Sequence, residues 1–410
     1  MSVTMDGSQQ KPQSSEATLP RLSGLVSRCS GPRSRAWDVG DRAVELERQG
    51  TDIIHLSVGD PDFDTPQEII DVAMASMSSG RTHYSPIPGE PALRREIARS
   101  TGSRLDVTIS PDEVVIFPGA QCALFAVFLC LAEKGDEVIV LEPAYATYDA
   151  AVEAGGAKAV HVALDPETGF ALDVERLRAA ITPRTKALLL NSPGNPTGAV
   201  FERTAIAELV SVCRQHDIWI VSDEVYWTLV FDGEHASPRS MPGGEDGVII
   251  VNGMSKSHAM TGWRIGWTVA PPAVTTALIA LAQALLFGVS QFSQDAAAFA
   301  LANDLDSVRQ MVRTYDERRR SLCGSLSRID GIDVCVPAGG MFLLADVGMD
   351  GERFANELLD AAGVATVPGF AFGDSVSEFI RIGYLHNTDV LEAAAARIEG
   401  FVGSRNRSQA

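Results

Sequence analysis

Long uncharged apolar runs are nearly absent from this 410-residue chain. The longest uncharged stretch, which includes 265–292, exceeds the roughly 18 residues a membrane span needs. Pro271, Pro272, Thr275, Thr276, Gln283 and Gly288 interrupt it, so a core strand followed by a buried helix suits it better. Basic residues are scarce. Lys and Arg number 34 against 53 Asp and Glu, a net charge of −19. Neither nucleic acid nor an anionic membrane surface is an expected partner for such a chain. Cysteine pairing signals are missing too. Cys29, Cys122, Cys130, Cys213, Cys323 and Cys335 include no C-x-x-C pair, which predicts buried free thiols in a reducing cytoplasm and no metal site. The first 20 residues are polar and lack an apolar signal core, which argues against secretion. What the chain does have is 45% hydrophobic residues, ample for a large core spread over roughly two or three domains.

Residues 1–35 read as a flexible polar arm. A helical pattern follows from Trp37 to Gln49 and stops at Gly50. Residues 53–58 read as a short strand. The turn-rich loop 59–66 comes next, with Thr65 placed to cap a helix before Pro66. From Glu113 onward, short apolar runs alternate with helical stretches. The runs are 114–117, 137–141, 159–164, 186–190, 218–222, 248–251 and 265–270. Such alternation predicts an α/β fold with a mostly parallel central sheet. From about Leu305 a long charged helix leads into a smaller α+β portion. The expected division is an N-terminal segment 36–65 packing with the small domain, a large domain 66–305 and a small domain 306–410.

The chemistry-bearing residues fall just after the strands, where open α/β sheets bind ligands. The turn after 248–251 presents Ser255 and Lys256, and Arg264 follows eight residues later. A lysine at the end of a core strand is placed to condense with an aldehyde. A nearby arginine suits a phosphate on the same molecule. Pyridoxal phosphate (PLP) carries both groups. It also needs an anion cup, which the turn Gly119-Ala120-Gln121 at a helix start can supply. A carboxylate must keep its ring nitrogen protonated, and Asp223 is the candidate. Asn195 and Tyr226 are candidate donors to the ring's phenolate oxygen, and Tyr145 a candidate to stack on its face. Taken singly, Asp223-Glu224 could cap a helix, the Asn-Pro turn could be plain turn chemistry and Tyr145 could be core. Their shared position at strand ends is what favours one site.

From residue 35 to 400 the chain resembles a fold-type I PLP enzyme of the class I/II aminotransferase family. The resemblance rests on Gly253-x-Ser255-Lys256 with Arg264-Ile-Gly266, on 191–198 around Asn195, on Ser222-Asp223-Glu-Val-Tyr226, and on the loop 59–66. It implies the fold-type I architecture, a large PLP-binding domain and transfer of an amino group from an amino acid to a 2-oxo acid. It implies that Gly59, Asn195 and Arg381 meet the substrate α-carboxylate, and that Tyr84 reaches the phosphate of a neighbouring subunit in a homodimer with shared sites. Gly253 departs from the many relatives with serine there, whose hydroxyl meets the phosphate. Arg381 has its own rationale, because a guanidinium fork grips a planar carboxylate; alone it could equally be a strand-edge arginine.

Relatives specific for dicarboxylates place a cation near 285–291 or at the position of Gln121. No Lys or Arg lies between Arg264 and Arg309, so aspartate and glutamate are disfavoured donors. Trp37 and Asp38 could hold a guanidinium instead, by stacking and a salt bridge, although Asp38 could also be a helix cap. The stretches around Trp37, Asp60, Gln121, Glu234 and Lys256 resemble the arginine–pyruvate transaminases of the family. Arginine or a cyclic guanidino relative such as enduracididine is thus the leading donor, and pyruvate a candidate acceptor. Rival expectations are an aromatic or kynurenine-type transaminase with Trp37, Tyr145 and Phe287 in the pocket, a β-lyase or arginine oxidase, and a PLP-binding regulator. The last needs a DNA-binding domain, for which about 35 preceding residues are too few.

Overall fold

A computed structural model describes residues 22–409. Among them are thirteen strands: β1 (Ile54–His55), β2 (Val114–Phe117), β3 (Glu137–Glu142), β4 (Lys158–Ala163), β5 (Thr185–Asn191), β6 (Trp219–Asp223), β7 (Val248–Gly253), β8 (Gly266–Val269), β9 (Asp333–Cys335), β10 (Phe342–Asp346), β11 (Val364–Ala365), β12 (Val367–Pro368) and β13 (Phe379–Gly383). Seven form one sheet in the order β2-β8-β7-β6-β5-β3-β4. They are the seven apolar runs anticipated above, with ends moved by a residue or two. All run parallel except β8, which is antiparallel to both neighbours.

The runs read as unbroken apolar segments because both faces of the sheet are covered. Val248 and Ile250 belong to the core on one face, and Ile249 and Val251 to the core on the other. All four are wholly buried, and each such side chain contributes roughly 1.5–3 kcal/mol. The uncharged run 265–292 becomes β8 and the helix Pro272–Leu285, whose Val274, Leu278 and Ala282 pack inward. No helix among the described residues is long and apolar enough to cross a membrane.

After the helix Asp306–Leu326, an antiparallel sheet β12-β13-β10-β9 forms the second, smaller layer. The helices Gly351–Ala362 and Thr388–Gln409 share its core. β1 pairs in parallel with β11, so the N-terminal segment joins this part of the molecule.

Several local expectations need correction. The strand foreseen over 53–58 shrinks to β1, because past Leu56 the chain leaves β11: the Leu56 carbonyl accepts from Gly383 of β13, and the Gly59 carbonyl from Lys256. Thr65 does not cap the helix Gln67–Ser78; Pro66 stands at the cap. The Thr65 hydroxyl donates instead to the Ala259 carbonyl (2.6 Å) and accepts from Trp263 Nε1 (2.9 Å), bracing the lysine turn. The arm over 1–35 is not uniformly loose. Gly24–Cys29 is helical, and Arg28 donates to the Glu153 and Ala154 carbonyls at 2.8 Å; residues 1–21 lie outside the described residues. All six cysteines are free, but only Cys213 and Cys323 are buried.

Candidate active site

Five parallel strands bring their carboxyl ends to one edge of the sheet. The loops there carry Gly119 to Gln121 after β2, Tyr145 after β3, Asn195 after β5, Tyr226 after β6, and Ser255 and Lys256 after β7; Asp223 is the last residue of β6. β8 runs the other way, so its beginning lies at that edge, and Arg264 stands just before it. β13 contributes Arg381, and the segment after β1 contributes Gly59. These groups surround a cavity of about 370 Å³. Twelve of the fifteen residues singled out from the sequence line it; Gly119, Tyr84 and Asp38 do not.

Gly119 nevertheless shapes the cavity. Its φ is +88°, and a Cβ there would come within 2.2 Å of Arg264 Nη2. Opposite, a Cβ on Gly266 would lie 2.4 Å from the Ala120 nitrogen. Two glycines thus let the start of the helix Ala120–Leu131 and the Arg264 guanidinium come together. The first N–H groups of that helix have no partner within it. Backbone donors, the positive end of the helix dipole and a full charge together make an anion cradle. Arg264 itself sits at φ +53°, with Nη1 donating to the Thr261 carbonyl at 2.6 Å. At Gly253, a Cβ would meet the Ile265 carbonyl at 2.8 Å, so the close approach of β7 and the start of β8 accounts for the glycine where many relatives have serine.

The Lys256 amine donates to the Gly59 carbonyl. Burial pushes it down to about 8, with the negative charge of Asp60 acting the other way. A substantial fraction is therefore neutral, and nucleophilic, near physiological pH.

Asp223 is not a helix cap. It is wholly buried at the end of β6, and burial pushes its carboxyl up to about 6. The Tyr148 hydroxyl, 2.7 Å from Oδ2, favours the ionised form and limits the rise. Asn191 Nδ2 holds the Asp223 carbonyl at 3.0 Å, and Asn191 Oδ1 accepts from the Asn195 N–H at 2.8 Å. Asn195 Nδ2 in turn faces the Tyr226 hydroxyl at 3.4 Å. Tyr145 meets Tyr148 edge-on, with ring centroids 5.6 Å apart. Sequence reasoning missed Tyr148, whose place three residues after Tyr145 carries no signal of its contact with Asp223.

Arg381 is no strand-edge arginine. β13 lies between β12 and β10, and the side chain is buried. Nη1 donates to Asn195 Oδ1 at 3.1 Å and Nη2 to the Ser57 carbonyl at 2.7 Å, while Nε has no partner. The guanidinium lies 4.0 Å from the ring centre of Phe342 and 5.0 Å from that of Phe372. Burial brings its pKa down to about 10, which still leaves it charged at neutral pH. Gly59 fits the same packing, because a Cβ there would lie 2.9 Å from Phe342 Cζ.

The proposed specificity residues are only partly gathered. Trp37 lines the cavity, half-exposed. Asp38 does not reach it. It opens the helix Asp38–Arg48, mostly exposed, with its carboxylate 3.4 Å from Arg35 Nε. One helical turn separates that pair, and the turn directs Asp38 away from the site. Phe287 also lies outside the cavity, packed edge-on against the largely exposed Tyr84 with centroids 5.1 Å apart. Asp60, absent from the residues singled out, is on the cavity wall.

The family pattern "Aminotransferase class I and II" matches residues 51–398. The chain belongs to the class I and II aminotransferases. It is 44% identical over 381 residues to the arginine–pyruvate transaminase of Pseudomonas aeruginosa, covering 92% of this chain and 97% of that one. It is 37% identical to the aspartate/prephenate aminotransferase of Thermus thermophilus, covering 89% and 95%. Among solved structures, the Thermus thermophilus aspartate aminotransferase with maleate superposes with a TM-score of 0.89 at 35% identity, over 93% of this chain and all of that one. An alanine aminotransferase from Pyrococcus furiosus gives 0.90 at 30% identity, over 94% and 100%. These are fold-type I enzymes, and the family uses PLP. An anion cradle, a depressed lysine amine and a buried carboxylate on one cavity fit that cofactor.

Proposed function

We propose that this aminotransferase takes its amino group from an L-amino acid with a cationic side chain, arginine or a guanidino or cyclic-guanidino relative such as enduracididine, and passes it to a 2-oxo acid such as pyruvate. The observation that carries this reading is how the cavity's cations are used. Among the described residues, Lys256, Arg264 and Arg381 are the lysines and arginines that line it. In this reading Lys256 takes the cofactor's aldehyde, Arg264 its phosphate and Arg381 the substrate α-carboxylate. None remains for the second carboxylate of aspartate or glutamate. Similarity to the Pseudomonas arginine–pyruvate transaminase supports the same choice.

Bound PLP supplies an aldehyde carbon for the amino group and a ring that takes up electrons released at the α-carbon. The chain's own groups do the rest. Arg381 orients the substrate through its α-carboxylate, with Asn195 and Phe342 holding the guanidinium and Gly59 leaving room for that packing. Lys256 Nζ accepts the α-proton from the donor; with a 2-oxo acid bound, the same nitrogen delivers a proton to its α-carbon. Asp223, held by Tyr148, keeps a proton on the ring nitrogen. Tyr226 and Asn195 donate to the phenolate oxygen, Tyr145 packs on the ring, and Ser255, Arg264 and the turn Gly119-Ala120-Gln121 hold the phosphate. The two half-reactions give ping-pong kinetics.

The reading includes a cytoplasmic homodimer with shared sites, supported by Tyr84, whose ring packs edge-on against Phe287 and is otherwise largely exposed outside its own cavity. It includes a cofactor domain over 66–305 and a small domain over 306–410, with 36–65 joined to the latter through β1 and β11.

The test is a panel of arginine, aspartate and kynurenine against pyruvate, following cofactor absorbance and 2-oxo acid release. Arginine should lead. Aspartate or kynurenine as the best donor would overturn the substrate reading, and oxygen-dependent product without an aminated cofactor would move the enzyme to another reaction type. Lys256→Ala should abolish α-proton exchange.

A further inference from the structure

The cavity's cations each have a task, but its carboxylates do not. Two line it, Asp223 and Asp60. Asp223 is buried and held by Tyr148. Asp60 is exposed, and among the described residues it has neither an ion pair nor a hydrogen bond. Its near neighbour Asp62 is different, because both its oxygens are taken by Arg318 at 2.7 and 2.9 Å. Asp60 directly follows Gly59, whose carbonyl accepts from Lys256. It thus lies beside the reacting lysine without being bonded to it. Trp37 offers a partly exposed indole on the wall of the same cavity. A carboxylate with neither hydrogen bond nor ion pair, together with an aromatic face, is the lining that a guanidinium or ammonium seeks. A distal carboxylate would instead meet a like charge.

We infer that Asp60 is the specificity residue that receives the cationic end of the donor's side chain, with Trp37 as its aromatic companion. This rests on the cationic-donor reading above and assigns the residue that Asp38, turned outward to Arg35, does not supply. Asp60 does not touch the reacting atoms. It selects by pairing with a charge that arginine has and its neutral isostere citrulline lacks.

The experiment compares charged and uncharged partners of one shape on the holoenzyme. Arginine and citrulline are run as donors against pyruvate. The non-reacting acids 5-guanidinopentanoate and 5-ureidopentanoate are run as competitive inhibitors. The wild type should favour the charged member of each pair about tenfold or more, the usual worth of a charge-assisted contact. In Asp60→Asn both ratios should fall towards one. Any effect of Asp60 on the Lys256 amine acts on both members of a pair and cancels in the ratio. Asp60→Lys should move preference from arginine to aspartate or glutamate, which a merely misfolded protein cannot do. Ratios that persist in Asp60→Asn would overturn this inference and leave the cationic-donor reading standing. A wild type that treats arginine and citrulline alike would overturn both.

Discussion

Asp223 and Glu224 are chain neighbours, both wholly buried, and their surroundings push their carboxyls in opposite directions. Burial alone raises both. For Asp223 the Tyr148 hydroxyl only partly offsets that, and the group settles at about 6. Glu224 meets Arg104 Nη2 at 2.9 Å, His235 Nε2 at 3.2 Å and the Ser237 hydroxyl, and these more than reverse burial, to about 2. The strand end alternates: Asp223 faces the cavity, and Glu224 faces Arg104, whose guanidinium lies 4.5 Å from the Trp227 ring centre. One carboxylate is kept poised for chemistry and the other anchors the loop that carries it.

Glu224→Gln should therefore destabilise the protein by about 3–5 kcal/mol at neutral pH, the usual cost of breaking a buried charge pair. The sign with pH follows from the depressed value. Stability from Glu224 is fully present above its ordinary 4.5 and is lost as pH falls towards about 2. Thermal melts of both proteins from pH 7 to 4 should show the gap narrowing at the acid end. A gap of constant size would contradict the pairing.

Asp223→Asn should do the reverse in the cofactor-free protein. A carboxyl raised from 3.8 to about 6 costs stability wherever it is ionised, roughly 3 kcal/mol above pH 6 by the ordinary conversion. The variant should melt higher than wild type at pH 7.5, and the advantage should vanish towards pH 4. With cofactor present the order should invert, because the ring nitrogen loses its counter-charge. Melting curves with and without PLP check both halves.

Tyr148→Phe removes the side-chain donor to Asp223 and nothing else from the site. The bond favours the ionised carboxylate, so its loss moves Asp223 above about 6. A hydrogen bond to a charged group is worth about 1.5–3 kcal/mol, which places the shift at about one to two pH units. The titration of Asp223 in the cofactor-free protein, followed by NMR, should move up by that amount. A mere packing defect would lower stability without moving it.

How much of this was legible in the sequence follows from which signals are local. The central sheet was legible because strands buried on both faces read as short apolar runs bounded by turns. Lys256, Asp223 and Asn195 were legible because each stands directly after such a run or ends it. Tyr148 was not. It reaches Asp223 across 75 positions by the turn of a six-residue helix, and nothing in the spacing announces that contact. Phe342 was hidden inside an ordinary apolar strand, where its packing on Arg381 depends on the pairing of β10 with β13. Asp38 was misjudged because placement near Trp37 in sequence is not placement on the same wall; the helix that begins there turns it to Arg35.

Gly119→Ala should weaken cofactor binding at least tenfold. The φ of +88° disfavours any side chain, and the new methyl would collide with Arg264 Nη2 at 2.2 Å. Relief requires Arg264 or the helix start to withdraw, and either movement opens the anion cradle. Fluorescence titration of the cofactor-free protein with PLP, and separately with pyridoxal lacking the phosphate, checks the cause. The loss should be confined to the phosphorylated form.

Arg381→Lys keeps the charge but loses the fork. Arg381 donates from two nitrogens in different directions, to Asn195 and Ser57, while its flat face packs on Phe342. An ammonium cannot make both bonds, grip a carboxylate with two parallel N–H groups and stack on a ring at once. Asn195 Oδ1 then loses its partner inside the cavity. Because every donor and every acceptor presents the same α-carboxylate, KM should rise about 10- to 100-fold for amino acids and 2-oxo acids alike. The arginine-to-citrulline ratio should stay near the wild-type value, since that choice is made at the other end of the substrate. Steady-state kinetics with two donors and two acceptors separates the outcomes. A KM change confined to one substrate class would place the carboxylate grip elsewhere.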